Sequence, residues 1–261
     1  MYRLICIVFL CIYAFDAYAQ DSQQFSTWKT LENGLEILES GQDTSNFMVV
    51  RLALKKHSIK ILRAQDFGKK DLSAAEVCSL SGALMCINGS FFDERHNPLG
   101  LIISSGIMFQ KNHLGGDTLN GIFYLSRKGF GIVERGSFSS QLAFEAMQAG
   151  PVLIKDGKNL RGATDNNVSK RSAVCLDSDG RPIFFVSAIG AKPSSLFELS
   201  DFMLRKDFSC QNAINLDGGS SSQFFLKSGR NRGQSVETSN YEIAGEDKVP
   251  VFLGIIEGMP F

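Results

Sequence analysis

The chain is expected to adopt an α+β fold in which a mixed, largely antiparallel sheet is flanked by helices within one domain. Three observations point there. Short apolar runs alternate with Gly-centred turns along most of the 261 residues. Neighbouring runs sit close enough to pair as hairpins. Segments of helical period are scattered among the strands instead of alternating regularly with them, which argues against a strictly parallel sheet. With 44% hydrophobic and 21% charged residues the chain can bury a sizeable core, and no Pro/Ser-rich linker or internal repeat divides it.

The first nineteen residues differ from the rest. Met1-Tyr2-Arg3 supplies a positive charge, Leu4 to Tyr13 is apolar, and Ala17-Tyr18-Ala19 is an A-x-A cleavage site. Residues 1–19 therefore read as a secretory signal peptide, too short for a comfortable membrane span. Val8-Phe9-Leu10 before Cys11 lacks the small residues expected beside a lipidated cysteine. Residues 20–39 read as an N-terminal leader, loosest over the polar stretch Asp21 to Thr30, and residues 40–261 as the folded domain. The mature chain is expected to be secreted or periplasmic, with no membrane span.

Phe47 to Leu54 and Ser58 to Arg63 have strand character and suggest a hairpin turning near Lys55-Lys56-His57. Leu72 to Cys78 is a helix with Ser73 or Asp71 as its cap, and Ala83 to Ile87 is a buried strand running into Asn88-Gly89. Gly121 to Leu125 and Phe130 to Glu134 form a strand pair, and Leu142 to Gln148 is a helix candidate. Strands follow at Pro151–Ile154, Ser172–Leu176 and Pro182–Ser187, the last two joined by a turn at Asp177 to Gly180. Ser194 to Leu204 has helical spacing, with Ser195 and Glu198 placed as a capping box. The strand Ala213 to Leu216 delivers Asp217, and Val249 to Ile256 closes the chain.

The 27 basic and 27 acidic residues balance, so no global field favours a polyanion, and nucleic acid is not an expected partner. Cys78, Cys86, Cys175 and Cys210 remain after signal removal. An even number in an oxidising compartment permits two disulfides in any of three pairings, and buried free thiols are the alternative. No C-x-x-C pair marks a zinc site.

Three segments could carry chemistry. In Asn215 to Ser222 an apolar strand ends in Asp217, followed by Gly218, Gly219, Ser220, Ser221 and Ser222. Successive amides and hydroxyls there can surround an anion beside a carboxylate, although a plain Asp-capped turn has the same composition. Asn88, Gly89, Ser90, Phe91, Phe92 and Asp93 repeat the arrangement of amide, small residues and acid. In the third segment Arg171, entering a strand next to Ser172 and preceded by Thr164-Asp165, offers a fork for a phosphate or carboxylate. His57, His96 and His113 have no spacing that pairs them with a nucleophile or metal. No G-x-S-x-G or GxxxxGK[ST] motif occurs, and neither metal nor cofactor is expected.

Taken in order, Ile87 to Phe92, Pro98-Leu99-Gly100, Ala149 to Leu153 with Gly157, Arg171-Ser172-Ala173 and Asn215 to Ser221 resemble the phosphodiester glycosidase family over residues 40 to 256. Three positions depart from the usual pattern: Ser90 stands for Gly, Ser172 for Thr and Ser220 for Gly. The resemblance implies hydrolysis of a glycosyl phosphodiester, on a cell-surface polysaccharide or glycan. Asp217 would be nucleophile or base, Arg171 with Ser220 and Ser221 would hold the phosphate, and Asn88 would orient a sugar hydroxyl or the attacking water. Gly89, Ser90, Ser172, Gly218 and Gly219 would line the substrate, with Asp93 and Asp165 as candidates for a second acid. The alternatives are a non-catalytic exported carbohydrate-binding or envelope-assembly protein, with Phe91, Phe92 and Phe123 as stacking faces, and a phosphodiesterase that cuts the P–O bond.

Overall fold

The computed structural model describes residues 27–31, 33–39, 46–53, 56–164, 166–227, 229 and 240–258. The signal peptide, the start of the leader and Asp165 lie outside these residues. The first strands are β1 (Thr27–Thr30), β2 (Glu36–Glu39), β3 (Phe47–Arg51) and β4 (His57–Arg63), followed by helix α1 (Ala74–Ser81). Then come β5 (Met85–Asn88), β6 (Ile102–Ser104), β7 (Ile107–Gln110), β8 (Gly121–Ser126), β9 (Gly129–Glu134) and β10 (Ala143–Ala149). Next are β11 (Val152–Lys155), β12 (Lys158–Asn159), β13 (Ser172–Leu176), β14 (Pro182–Ser187) and helix α2 (Leu196–Met203). The chain continues through β15 (Asn212–Asn215), β16 (Phe224–Leu226), β17 (Tyr241–Ile243) and β18 (Val251–Glu257).

These strands form three antiparallel sheets, ordered β1-β2-β3-β14-β13-β15-β11-β12, β7-β6-β10-β8-β9 and β17-β16-β5-β18-β4. One core joins all three: Val174 and Ile214 from the first sheet, Phe123 and Met147 from the second, and Ile87 and Leu253 from the third. The opposite face of β13 sends Ala173 and Cys175 under α2, so that strand is buried on both sides, which is why it reads as a continuous apolar run. Helix α1 covers the outer face of the third sheet through Val77 and Cys78.

The local signals hold. Ser73 and Ser195 each close a capping box, with Glu76 and Glu198 respectively, and the pairs β8–β9 and β13–β14 are hairpins in regular register. Disulfides join Cys78 to Cys86 and Cys175 to Cys210, each with a Cα separation of 5.8 Å, and they suit an oxidising compartment.

Four expectations are corrected. The fold is largely β: among the described residues only two α-helices occur, each of 8 residues. Leu142 to Gln148 is not a helix, because Ala143–Ala149 is the central strand of its sheet and pairs with β6 and β8. Its polar residues are satisfied only there. Glu145 is buried and accepts from the amides of Ile61 and Ser105, each at 2.8 Å, and Gln148 bridges Leu101, His113 and Leu119. Tertiary pairing overrides helix propensity. β3 and β4 are not a hairpin, since β3 pairs with β2 and β14 whereas β4 pairs with β18. Finally, the described part of the leader is not loose, because β1 and β2 extend the eight-stranded sheet. Among the described residues no helix is long and apolar enough to cross a membrane.

Candidate active site

β5, β13 and β15 bring the sequence motifs to one place where two sheets meet. The Asp217 amide donates to the Gly89 carbonyl at 3.0 Å, and the Leu216 amide to the Ser172 carbonyl at 2.8 Å. Asn88 is the joint between them. Its Oδ1 accepts from the Ser172 hydroxyl at 2.7 Å and the Gln223 amide at 3.1 Å, and its Nδ2 donates to the Asp217 carbonyl at 2.7 Å. The side chain is wholly buried, so Asn88 braces the Asp217 turn instead of presenting itself to substrate. Ser172, fully buried, is committed to the same task.

Glycine is required beside this joint. A side chain on Gly89 would meet Met147 Sδ at 2.8 Å and the Val251 carbonyl at 2.9 Å, so the residue permits close strand packing. Ser90 is likewise inward, with its hydroxyl donating to the Phe91 carbonyl at 3.1 Å. Gly219 has φ +63°, a left-handed conformation that lets the chain turn back and its amide reach the Lys170 carbonyl at 2.9 Å.

The turn spends most of its amides on itself. Gly218 donates to Asp217 Oδ1 at 3.0 Å, Ser221 to the Gly218 carbonyl at 3.3 Å, and Ser222 to the Gly219 carbonyl at 3.2 Å. Among the described residues, the amide and hydroxyl of Ser220 have no protein partner, which concentrates the expected anion-binding nest on this one residue. Arg171 stands alongside. It is 8% exposed, donates through Nε to the Ser194 carbonyl at 2.9 Å, and bonds the Asn167 carbonyl through Nη2. A side chain at Gly218 would meet the Lys170 carbonyl at 2.9 Å, so glycine lets the Asp217 turn lie close against the main chain just before Arg171.

Burial pushes the Asp217 carboxyl up to about 6. The nearby Asp247 charge adds to the rise, while the Ser221 hydroxyl and the Gly218 amide oppose it. A half-buried acid of this kind can exchange a proton near neutral pH.

The expected second acid is differently placed. Asp93 Oδ1 accepts from the Arg95 amide at 2.9 Å and the Asn97 amide at 2.8 Å, and the Asn97 side chain above all holds the Asp93 carboxyl below its ordinary range. It closes its own loop. His96 sits on that loop with its ring stacked on Phe92 at 4.9 Å and Nδ1 2.9 Å from the Asp71 carboxylate. Phe123 is fully buried and offers no stacking face. Asp247 was not singled out from the sequence, where Glu246-Asp247-Lys248 looks like any short charged turn.

A family model for phosphodiester glycosidase matches residues 81–256. The chain belongs to the phosphodiester glycosidase family. It is similar to the uncharacterized protein YigE of Escherichia coli (strain K12), 28% identical over 165 residues, which are 59% of this chain and 63% of that one. The chain thus spans less than two thirds of that relative. The fold matches the catalytic domain of zebrafish N-acetylglucosamine-1-phosphodiester alpha-N-acetylglucosaminidase, auto-inhibited by its pro-peptide, with TM-score 0.60 and 18% identity over 88% of this chain and 81% of that one. A hypothetical protein from Synechocystis matches with TM-score 0.56 and 17% identity over 88% of this chain and 63% of that one. At these identities the two structures establish a shared fold.

Proposed function

We propose that this phosphodiester glycosidase-family member is an exported hydrolase that cleaves a glycosyl phosphodiester between the anomeric carbon and the phosphate oxygen. The observation that carries the reading is a desolvated carboxylate, Asp217, in the same turn as the unpartnered donors of Ser220 and beside the buried Arg171. Asp217 takes a proton from the attacking water, the water oxygen bonds to the anomeric carbon, and the carbon–oxygen bond to phosphate breaks. The departing phosphate monoester is a weak base and needs little protonation, so one carboxylate with anion-binding donors suffices. Arg171 and Ser220 hold the phosphate oxygens, while Ser221, buried and bonded to the Asp217 turn, supports the acid. Ser172 and Asn88 act on the substrate only through the turn they support. The zebrafish relative's name makes an N-acetylglucosamine-1-phosphodiester the first substrate to try, and a cell-surface glycan of that linkage suits an exported enzyme.

The test is turnover of sugar-1-phosphodiesters, with products identified by mass spectrometry in 18O water. Label in the sugar and a loss of roughly a thousandfold in Asp217→Asn are expected. Label in the phosphate, or near wild-type activity in a folded Asp217→Asn, overturns the reading.

A further inference from the structure

The outer face of the second sheet holds a cavity of about 220 Å³, opened between the β8–β9 hairpin and the segment 135–142. The rings of Tyr124 and Phe138 form its corner, with centroids 5.5 Å apart and planes at 58°. Both rings pack on the cluster of Ile103, Ile122 and Ala146, the side of the sheet turned away from Phe123 and Met147. The cavity therefore shares no residue with the Asp217 turn, which lies where the first and third sheets meet.

Gly131 shapes the corner. It stands opposite Tyr124 in the β8–β9 ladder, and a side chain there would meet the far end of the ring, at 2.2 Å from Cζ and 2.4 Å from the hydroxyl oxygen. Glycine lets the ring lie across β9, an edge strand, and a ring laid over a glycine is a packing device in its own right. That device accounts for the ring and not for the polar groups around it. Among the described residues the hydroxyls of Tyr124, Ser137 and Ser139, all in the lining, have no protein partner. Ser139 precedes the short 3-10 turn Ser140–Leu142 without capping it, the use to which a serine in that place is commonly put. Lys128, also in the lining, joins no ion pair among the described residues. Its turn is fixed by Ser126, whose hydroxyl donates to the Gly129 carbonyl and accepts from the Lys128 amide, each at 3.2 Å. Leu142, 62% exposed, adds apolar surface at the rim.

Pockets that enclose drug-sized ligands hold roughly 300–1,000 Å³, so this one takes a single ring and not a chain. Two aromatic faces ringed by free hydroxyls suit a ligand that is apolar on its faces and hydroxylated at its edge, which is the character of a pyranose. An apolar side chain from a protein partner would cover the same rings but leave three hydroxyls and an ammonium unmatched.

We propose that this cavity is a second saccharide site. One pyranose unit lies against Tyr124 and Phe138 with its hydroxyls on Ser137 and Ser139, and a unit bearing an anionic group is preferred because Lys128 pairs with it. The inference goes beyond the reading of Asp217 as the base and does not depend on it. For an enzyme that acts on a glycan, a second contact raises the effective concentration of the linkage to be cut.

The probes are N-acetylglucosamine and N-acetylglucosamine 1-phosphate, titrated into the full mature chain and followed by nitrogen-15 NMR. Amides from Gly129 to Ser139 report on the cavity and those of Gly218 and Ser220 on the Asp217 turn, so the two sites are read separately. Both probes are expected to shift the cavity amides with Kd on the order of 1–10 mM, the phosphate ester binding about threefold more tightly. Lys128→Gln should erase that preference. The double variant Ser137→Ala, Ser139→Ala should weaken both probes at the cavity about fivefold and leave the Ser220 response in place. Tyr124→Leu should abolish cavity binding. Because that ring also packs on the sheet, the double serine variant, at two exposed positions, decides the matter if Tyr124→Leu does not fold. Cavity amides that stay in place with both probes up to about 50 mM, or cavity binding unchanged in the double serine variant, overturn the inference. Cavity binding without turnover of any sugar-1-phosphodiester supports the inference and overturns the functional reading alone.

Discussion

Asp217 and Asp93 each lie shortly beyond the end of a buried strand, β15 and β5, in turns of small and polar residues. The surroundings make them different acids. Around Asp93 the loop amides and the Asn97 side chain converge on both carboxylate oxygens, so the ionised form is satisfied and the carboxyl is held low. Around Asp217 the one backbone donor is Gly218, water is largely displaced, and a second acid stands nearby, so the carboxyl is pushed up to about 6. A turn that satisfies its acid is architecture. A turn that leaves its acid under-solvated retains a driving force that chemistry can use.

The comparison would break most visibly at Asn88, which serves only the Asp217 side. Asn88→Ala leaves the Ser172 hydroxyl, the Gln223 amide and the Asp217 carbonyl without their partner in the interior. A loss of roughly 3–5 kcal/mol in urea unfolding is expected, with a large fall in turnover. An Asn88→Ala protein of wild-type stability would show that the joint is not what holds the turn.

A smaller effect, of opposite sign, is expected at Asp217 itself. Because its folded value is raised, its contribution favours the fold at pH values below its ordinary value of 3.8 and is lost as pH rises through about 6. Asp217→Asn should therefore unfold at a higher temperature than wild type at pH 8, by at most about 3 kcal/mol in stability, with the difference closing by pH 4. Differential scanning calorimetry at the two pH values checks the sign, and an equal difference at both would contradict it.

The smallest effect belongs to Asp93. Its depressed value gives a contribution that is present above the ordinary carboxylate range and lost as pH falls through the folded value. Asp93→Ala should lower Tm by roughly 1–2 °C at neutral pH and leave kcat/KM within twofold. Loss of turnover without unfolding would instead make Asp93 the second acid and dissolve the contrast.

Much of this site is legible along the chain because its signals are short. A capping box closes over three residues, as at Ser195 and Glu198, and the hairpin from Ser172 to Ser187 needs only a tight turn at Asp177 to Gly180. An apolar strand ending in Asp217-Gly218-Gly219 is local too, as is the order of motifs that marks the family. What the sequence by itself determined is therefore the family and most of the buried strands, with Asp217 singled out as the candidate acid. The tertiary structure decided which sheet β3 and β4 join, that Ala143–Ala149 is a strand, that Asn88 is a brace, and that Asp217 is desolvated. Each of these depends on partners far apart in the chain. Pairing across sheets, desolvation and the field of a neighbouring charge arise only when the folded chain brings those partners together.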